Sequence, residues 1–249
     1  MLLRALLATV LIAGVAASVP IRAASPADED AAIAQSLAEM LRDARTVISN
    51  NQDLINNPAL GDKHLTGQAV LDQAVKSYQK ATGVDPTTID PNSRQGRLLR
   101  AMMAAIVGVT DDNQATINQK GTAFKGFIPA VFARLVSENF NQMAKGEAEV
   151  KVTAPPELVR NRKARPDAWE ADVMKTKLIS AEWPKGQSYS AVVDTNGRPA
   201  FRVAVPEYYA ASCLSCHGSP KGEMDLTGYP KEGGKTGDLG AVISITLYH

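Results

Sequence analysis

The stretch YSAVVDTNGRPAFRVAV (residues 189–205) decides the fold. Tyr189–Asp194 and Ala200–Val205 are runs rich in β-branched and apolar residues, and Asn196-Gly197 lies between them, a pair that accepts the positive φ angles of a tight hairpin. Two antiparallel strands are expected here. Working outward, Glu147–Thr153 alternates polar and apolar residues and is closed by Pro155-Pro156, while Gly240–Leu247 repeats the β-branched character, so three or four strands follow Gly146. Asp167–Ile179, just after Pro166, reads as a helix carrying Trp169, and Trp169 and Trp183 read as core residues. Upstream the period changes from two to about 3.6. From Asp28 to about Asn57, Ile33, Leu37, Leu41, Ala44, Val47 and Ile48 recur three or four apart, with Asn56-Asn57-Pro58 as the stop. Thr66–Ala81, ended by Gly83, Arg94–Asn118, capped from Ser93, and Pro129–Met143 repeat the pattern. The fold class is α+β: a helical part (24–146) packed on an antiparallel sheet (147–249), the two expected to form one domain.

The full chain of 249 residues is 45% apolar and 21% charged, with 27 basic and 26 acidic residues. This balance argues against a nucleic-acid partner, whose phosphates call for a basic excess or stripe. Arg4 precedes an uncharged run from Ala5 to Ala17 and then small residues, the pattern of a secretory signal over residues 1–23, with cleavage after Ala23 or Ala17. The run is short of the roughly 20 residues that a bilayer core requires. Removal of the leader takes away Arg4 and Arg22 and leaves 25 basic against 26 acidic residues. The expected product is an exported, periplasmic chain with no integral membrane segment.

The two cysteines are three apart and a histidine follows them: Cys213-Leu214-Ser215-Cys216-His217. Two cysteines placed at random would show this spacing about 1% of the time, before the histidine is counted. The pattern is that of c-type haem attachment, where two thiols one helical turn apart each add to a vinyl group and the adjacent imidazole is set under the iron. Export agrees with it, because c-type haem is attached outside the bacterial cytoplasm. Two other chemistries use the same residues. A disulfide or thioredoxin-like pair suits an oxidising compartment, but it has no need of His217 and lacks the βαβ context. A zinc site needs a fourth ligand from His64, His249 or a carboxylate.

With one haem c, the axial position opposite His217 is open. His64, in Gly61-Asp-Lys-His-Leu-Thr-Gly67, is a candidate distal ligand and equally reads as a solvated loop histidine. His249 reads as a frayed end, and Met102 and Met103 lie in a buried stripe. A vacant or water-bound position would admit small gases or peroxide, whereas a methionine would raise the potential. Arg160, Arg162, Lys163 and Arg165 form a basic cluster, in which Arg160 and Arg165 are candidates for pairing with haem propionates. Tyr208 and Tyr209 are candidates for packing on the porphyrin. Gly218, Gly222, Gly228, Gly233, Gly234 and Gly237 suggest a loop folded closely around a flat ligand, or ordinary turns.

Ala164-Arg-Pro-Asp-Ala-Trp-Glu170, Tyr208-Tyr209, the Cys213–Gly218 run, Gly228-Tyr-Pro230 and Gly237-Asp-Leu-Gly-Ala241, with Gly61-Asp62 and Leu65-Thr-Gly67, give the chain a family likeness. It resembles the exported haem c-binding, PAS-like domains formerly classed as a domain of unknown function. The resemblance implies a helical N-terminal part, a PAS-like sheet, haem held by Cys213 and Cys216, and iron ligated by His217. Many such domains precede sensory histidine kinases. Some offer a cysteine on the opposite face of the haem; this chain has no third cysteine, so a thiolate distal ligand is excluded.

Three functions stay open on the sequence. A redox or small-ligand sensor would signal by contact with an unidentified redox or signalling protein, since no kinase, cyclase or DNA-binding segment is apparent. A small electron-transfer cytochrome requires only a six-coordinate haem with an exposed edge. A peroxidase would need an open iron position with a distal acid–base group, for which only His64 is at hand, so an enzyme is the least supported of the three.

Overall fold

A computed structural model describes residues 25–249; the export-signal reading of residues 1–23 lies outside the described residues. Ser25 and Asp28 form a reciprocal capping box and Pro26 occupies the first turn, which together start helix α1 (Pro26–Asn50). Ile33, Leu37, Leu41, Ala44, Val47 and Ile48 form its buried face, as the period predicts. The helix is not continuous to Asn57. The Asn51 side chain donates to the Val47 carbonyl at 2.8 Å, and the chain restarts as one turn, α2 (Gln52–Ile55). An asparagine amide that bonds the backbone four residues back competes with the helical ladder.

The next elements follow the caps read from the sequence. Helix α3 (Gly67–Thr82) begins at Thr66 and ends at Gly83, whose φ of 74° makes a left-handed C-cap. Helix α4 (Arg94–Asp112) begins at Ser93 and buries Leu98, Leu99, Met102, Met103 and Ile106. It stops six residues before Asn118 by the same device that ends α1: Asn113 donates to the Val109 carbonyl at 2.7 Å, and α5 (Gln114–Ile117) follows. Helix α6 (Pro129–Met143) has the bounds that its proline and apolar period predict.

Strand β1 (Ala148–Thr153) opens the sheet. The helix expected over Asp167–Ile179 begins with an Asp167–Glu170 capping box as α7 (Ala168–Val173) and widens into one π-helical turn, Met174–Leu178. Strands β2 (Tyr189–Thr195) and β3 (Arg198–Tyr208) form the hairpin, with Asn196 at φ 57° and Gly197 at φ 80°. The one-turn helix α8 (Leu214–His217) and strand β4 (Leu239–Tyr248) complete the chain. All pairings are antiparallel, in the order β1-β4-β3-β2. β3 runs beyond the Val205 expected from its pattern and carries a register shift between Glu207 and Tyr208.

Strand alternation divides β3 and β4 between two apolar clusters. Phe201, Val203 and Val205 with Ile243, Ile245 and Leu247 join the helical side chains, including Leu37, Leu99, Phe132 and Phe140, in one continuous core. On the opposite face Ala204 and Val242 meet Val173, Met174 and Leu178, with Trp169, Trp183 and Tyr189 packed against them. Arg94 bolts the layers together: it donates to Asp30 of α1 at 3.0 Å and to the Tyr248 carbonyl at the end of β4 at 2.7 Å. His249 is not a frayed end, because its Nε2 lies 3.0 Å from Asp30 and its amide bonds the Pro199 carbonyl.

Asp43 of α1 breaks the apolar logic of the helix. Its Oδ2 is buried without a partner, and its carboxyl is pushed up to about 6 by burial, with the Glu39 charge adding and Arg42 opposing. An acid whose folded pKa is raised holds more protons folded than unfolded, so this residue withdraws stability as pH rises from about 4 through 6. Denaturant titrations of Asp43→Asn and wild type at pH 4.5 and 7.5 should show the wild type losing roughly 1 kcal/mol relative to the variant over that range, a figure already reduced for solvent screening. Parallel pH dependences would refute it.

Candidate functional site

Three successive residues at the end of β3 point three ways. Glu207 faces α1, where Arg42 Nε donates to one carboxylate oxygen at 2.7 Å and Arg45 pairs with the other. Burial lowers the Arg45 guanidinium to about 10; the Arg42 charge adds to the fall and the Cys213 thiol opposes it, so this end of α1 and the first cysteine share one electrostatic environment. Tyr208, beyond the register shift, turns to the other side, with its hydroxyl accepting from Gly186 at 2.9 Å and Lys185 lying over its ring. Tyr209 turns inward. Its backbone bonds Asp238 and Gly237 at the entry to β4, and its ring runs between the backbones of Gly234 and Gly240. A Cβ at Gly234 would stand 2.6 Å from the ring and one at Gly240 2.3 Å, so only glycine fits at either position. The phenol oxygen is buried without a partner, and burial, with the Glu232 charge behind it, pushes this group up to about 12.

The Cys213–His217 turn follows directly. Ala211–Cys213 makes a 3-10 turn and α8 continues it, closed by the Gly218 amide on the Leu214 carbonyl at 2.9 Å. Cys213 and Cys216 are not joined to each other, and each is partly exposed. The His217 ring stacks on Tyr209 with centroids 5.1 Å apart and planes 19° from parallel. Its Nδ1 lies 2.9 Å from Oε2 of Glu232. Burial alone would raise the Glu232 carboxyl, but hydrogen bonds from Arg160 and His217 outweigh it and hold the group below the usual range. An ionised carboxylate only accepts, so Nδ1 carries a hydrogen, and in the neutral ring Nε2 then keeps the lone pair. The segment bearing Glu232 is stitched to the turn by two amides, Gly234 to the His217 carbonyl at 2.8 Å and Gly233 to the Gly218 carbonyl at 3.0 Å.

Arg160 gathers the rest. Nε and Nη2 fork onto the two oxygens of Glu232 at 2.8 and 3.1 Å, Nη1 meets Asp225 Oδ2 at 2.6 Å and Thr227 Oγ1 at 3.3 Å, and Nη2 also meets the Cys216 carbonyl at 2.9 Å. All of the donors of a guanidinium are thereby engaged by protein acceptors. Asp225 is held well below the usual carboxylate range: burial works against its charge, but Thr227, Arg160 and the amides of Thr227 and Tyr229 outweigh it.

The structure therefore brings Cys213, Cys216, His217, Tyr209 and Arg160 together. The Arg160 guanidinium, a candidate for pairing with haem propionates, meets Glu232, Asp225 and a carbonyl. Of its basic neighbours, Lys163 pairs with Glu138, and Arg165 offers its carbonyl to Lys151. Tyr208 points away from Tyr209, toward Lys185 and Gly186. His64 stands between α2 and α3 with φ 53° and its ring 87% exposed, paired with Asp62; among the described residues no hydrogen bond or ion pair links it to the Cys213–His217 turn. Met102 and Met103 lie in the helical core. The flat group enfolded by Gly234 is the Tyr209 ring, while Gly222, Gly228, Gly233 and Gly237 have positive φ and serve turns. Among the described residues no three His, Cys, Asp or Glu side chains are grouped to hold a metal ion by themselves. Sequence reasoning missed Glu232, Asp225 and the Arg45–Glu207 pair. A carboxylate behind a ligating histidine is a general expectation, but Glu223, Asp225, Glu232 and Asp238 are equally eligible in the sequence.

The Tyr209 slot gives a direct test. Gly240→Ala should destabilise the protein by about 2 kcal/mol through overpacking. Combined with Tyr209→Leu it should cost clearly less than the sum of the single changes, because both act on one contact. Additive losses in denaturant midpoints would show that the slot is not closed as described.

A protein-family model described as Tll0287-like (Tll0287) matches residues 23–247. No curated protein and no solved structure matches the chain. The match runs through the helical layer, the sheet and the Cys213–His217 turn, and the chain belongs to the Tll0287-like family.

Proposed function

We propose that this chain is an exported protein that holds one haem c covalently on Cys213 and Cys216, ligates its iron through His217, and acts as a redox or small-ligand sensor. One observation carries the reading: Nδ1 of His217 is taken by Glu232, which leaves Nε2 without a partner among the described residues, beside two thiols that are not joined to each other. The donor set fits the group. A ligating histidine characteristically gives its other nitrogen to a carboxylate or carbonyl, and two thiols one turn apart suit the two vinyl carbons. A thioredoxin-like pair would leave the Tyr209 stack and the Glu232 contact without purpose. The antiparallel sheet, with the N-terminal helices on one face and α7 with its π-helical turn on the other, supports the PAS-like part of the reading, and the signal pattern of residues 1–23 supports export to the periplasm. No helix among the described residues is long and apolar enough to cross a membrane.

Haem would supply reversible one-electron chemistry. Cys213 and Cys216 would anchor it, and His217 would approach it on a ring fixed at one face by Tyr209 and at its back by Glu232. The sensory reading is favoured over simple electron transfer by the route out of the site: Glu207, two residues before Tyr209, is bound by Arg42 and Arg45 of the longest helix. A change of His217 tilt would have a route to α1 along this connection.

Intact mass spectrometry of protein exported from cells with c-type maturation machinery should show one haem added, and none on a Cys213→Ser, Cys216→Ser double variant. An unmodified wild-type mass would overturn the reading. Reduced wild type should bind carbon monoxide with a shifted Soret band; an inert iron would replace the sensor with a small electron-transfer carrier.

A further inference from the structure

We infer that Glu232 is a positioning residue for the iron ligand: it fixes the His217 ring and, by accepting from Nδ1 with an ionised carboxylate, keeps the imidazole electron-rich so that bound iron is biased toward its ferric form. The inference rests on the haem reading above and adds to it the residue that sets the potential.

The geometry isolates this role. The imidazole has one free rotation, about its bond to Cβ, and two contacts fix it: the stacked Tyr209 ring on its face and Glu232 Oε2 at its edge, 2.9 Å from Nδ1. Tyr209 carries no charge toward the ring, so its contact orients without polarising. Glu232 does both. Its own carboxylate plane is fixed by the fork of Arg160 on both oxygens, at 2.8 and 3.1 Å, and its backbone neighbourhood by the Gly233 and Gly234 amides on the carbonyls of the Cys213–His217 turn. A neutral carbonyl at this place would hold the same tautomer. A carboxylate in addition withdraws the Nδ1 hydrogen and raises the basicity of Nε2, which stabilises the more highly charged iron.

The test uses the haem-loaded, exported protein and reads the reduction potential by spectroelectrochemical titration, after mass spectrometry has established that each sample carries haem. Glu232→Gln keeps the size and an acceptor oxygen but removes the charge. Its ferrous-to-ferric ratio at a fixed ambient potential should rise about tenfold, equivalent to an upward shift of about 59 mV for one electron. Glu223→Gln, which removes the charge of an exposed carboxylate paired with Lys231 in the same loop, controls for charge loss at a distance and should shift far less. If the Gln variant does not accumulate with haem, Glu232→Asp decides alone: the charge is kept but withdrawn from Nδ1, and a smaller upward shift is expected. A haem-loaded Glu232 variant with the wild-type potential, or one that shifts no more than Glu223→Gln, overturns the inference and leaves haem binding intact. A wild type without haem overturns the reading beneath it.

Discussion

One guanidinium holds the site together. Residues 218–238 contain no helix or extended strand, only turns and an isolated bridge between Met224 and Pro230, and a stretch of this kind is ordinarily mobile. Arg160 ties it down at Asp225 and Glu232 and joins both to the Cys216 carbonyl just ahead of the stretch. Hydrogen bonds of a charged group contribute about 1.5–3 kcal/mol each, and a partly buried charge left unpaired is worse than neutral. The network therefore behaves as a unit. The carboxylate behind His217 is where it is because Arg160 fills both of its oxygens, and Arg160 is where it is because Asp225, an acid held well below the usual carboxylate range, faces it.

A second constraint joins this loop to the sheet. The register shift at the end of β3 separates Glu207, which keeps the helix-facing side, from Tyr209, which enters the site. Without it, alternation would place residues 207 and 209 on the same face. The irregularity is what allows one strand end to touch α1 and the Cys213–His217 turn at once. Core packing supplies the rigid support on either side, since the inward positions of β3 and β4 are continuous with the helical core.

The helices and strands were largely legible, because apolar periods and caps are local. Thr66, Ser93 and Pro129 announce helix starts, and Asn196-Gly197 announces the hairpin. The breaks at Asn51 and Asn113 were not, because an asparagine inside an apolar period carries no sign of whether its amide will bond solvent or the carbonyl four residues back. In the site, the Cys-x-x-Cys-His spacing singled out its own residues, and the abundance of glycine marked a loop that folds closely on something flat. What that something is, and which acid stands behind His217, depend on contacts between residues separated by 15 to 72 positions. Arg160 was legible as a cation that matters, but its acceptors were not, since a carboxylate on the chain and a carboxylate on a cofactor are chemically alike.

The slot around Tyr209 also determines how the site can move. With glycine backbone against both edges, the ring has no empty volume into which it can swing, so it cannot absorb a displacement of the imidazole stacked on it. Gly240 belongs to β4, which is hydrogen-bonded on both sides, to β1 and to β3. The strand against which the ring is wedged carries Ile243, Ile245 and Leu247 beneath the helices. The orientation of the imidazole is thereby tied to the rigid interior of the sheet and not to the mobility of a surface loop.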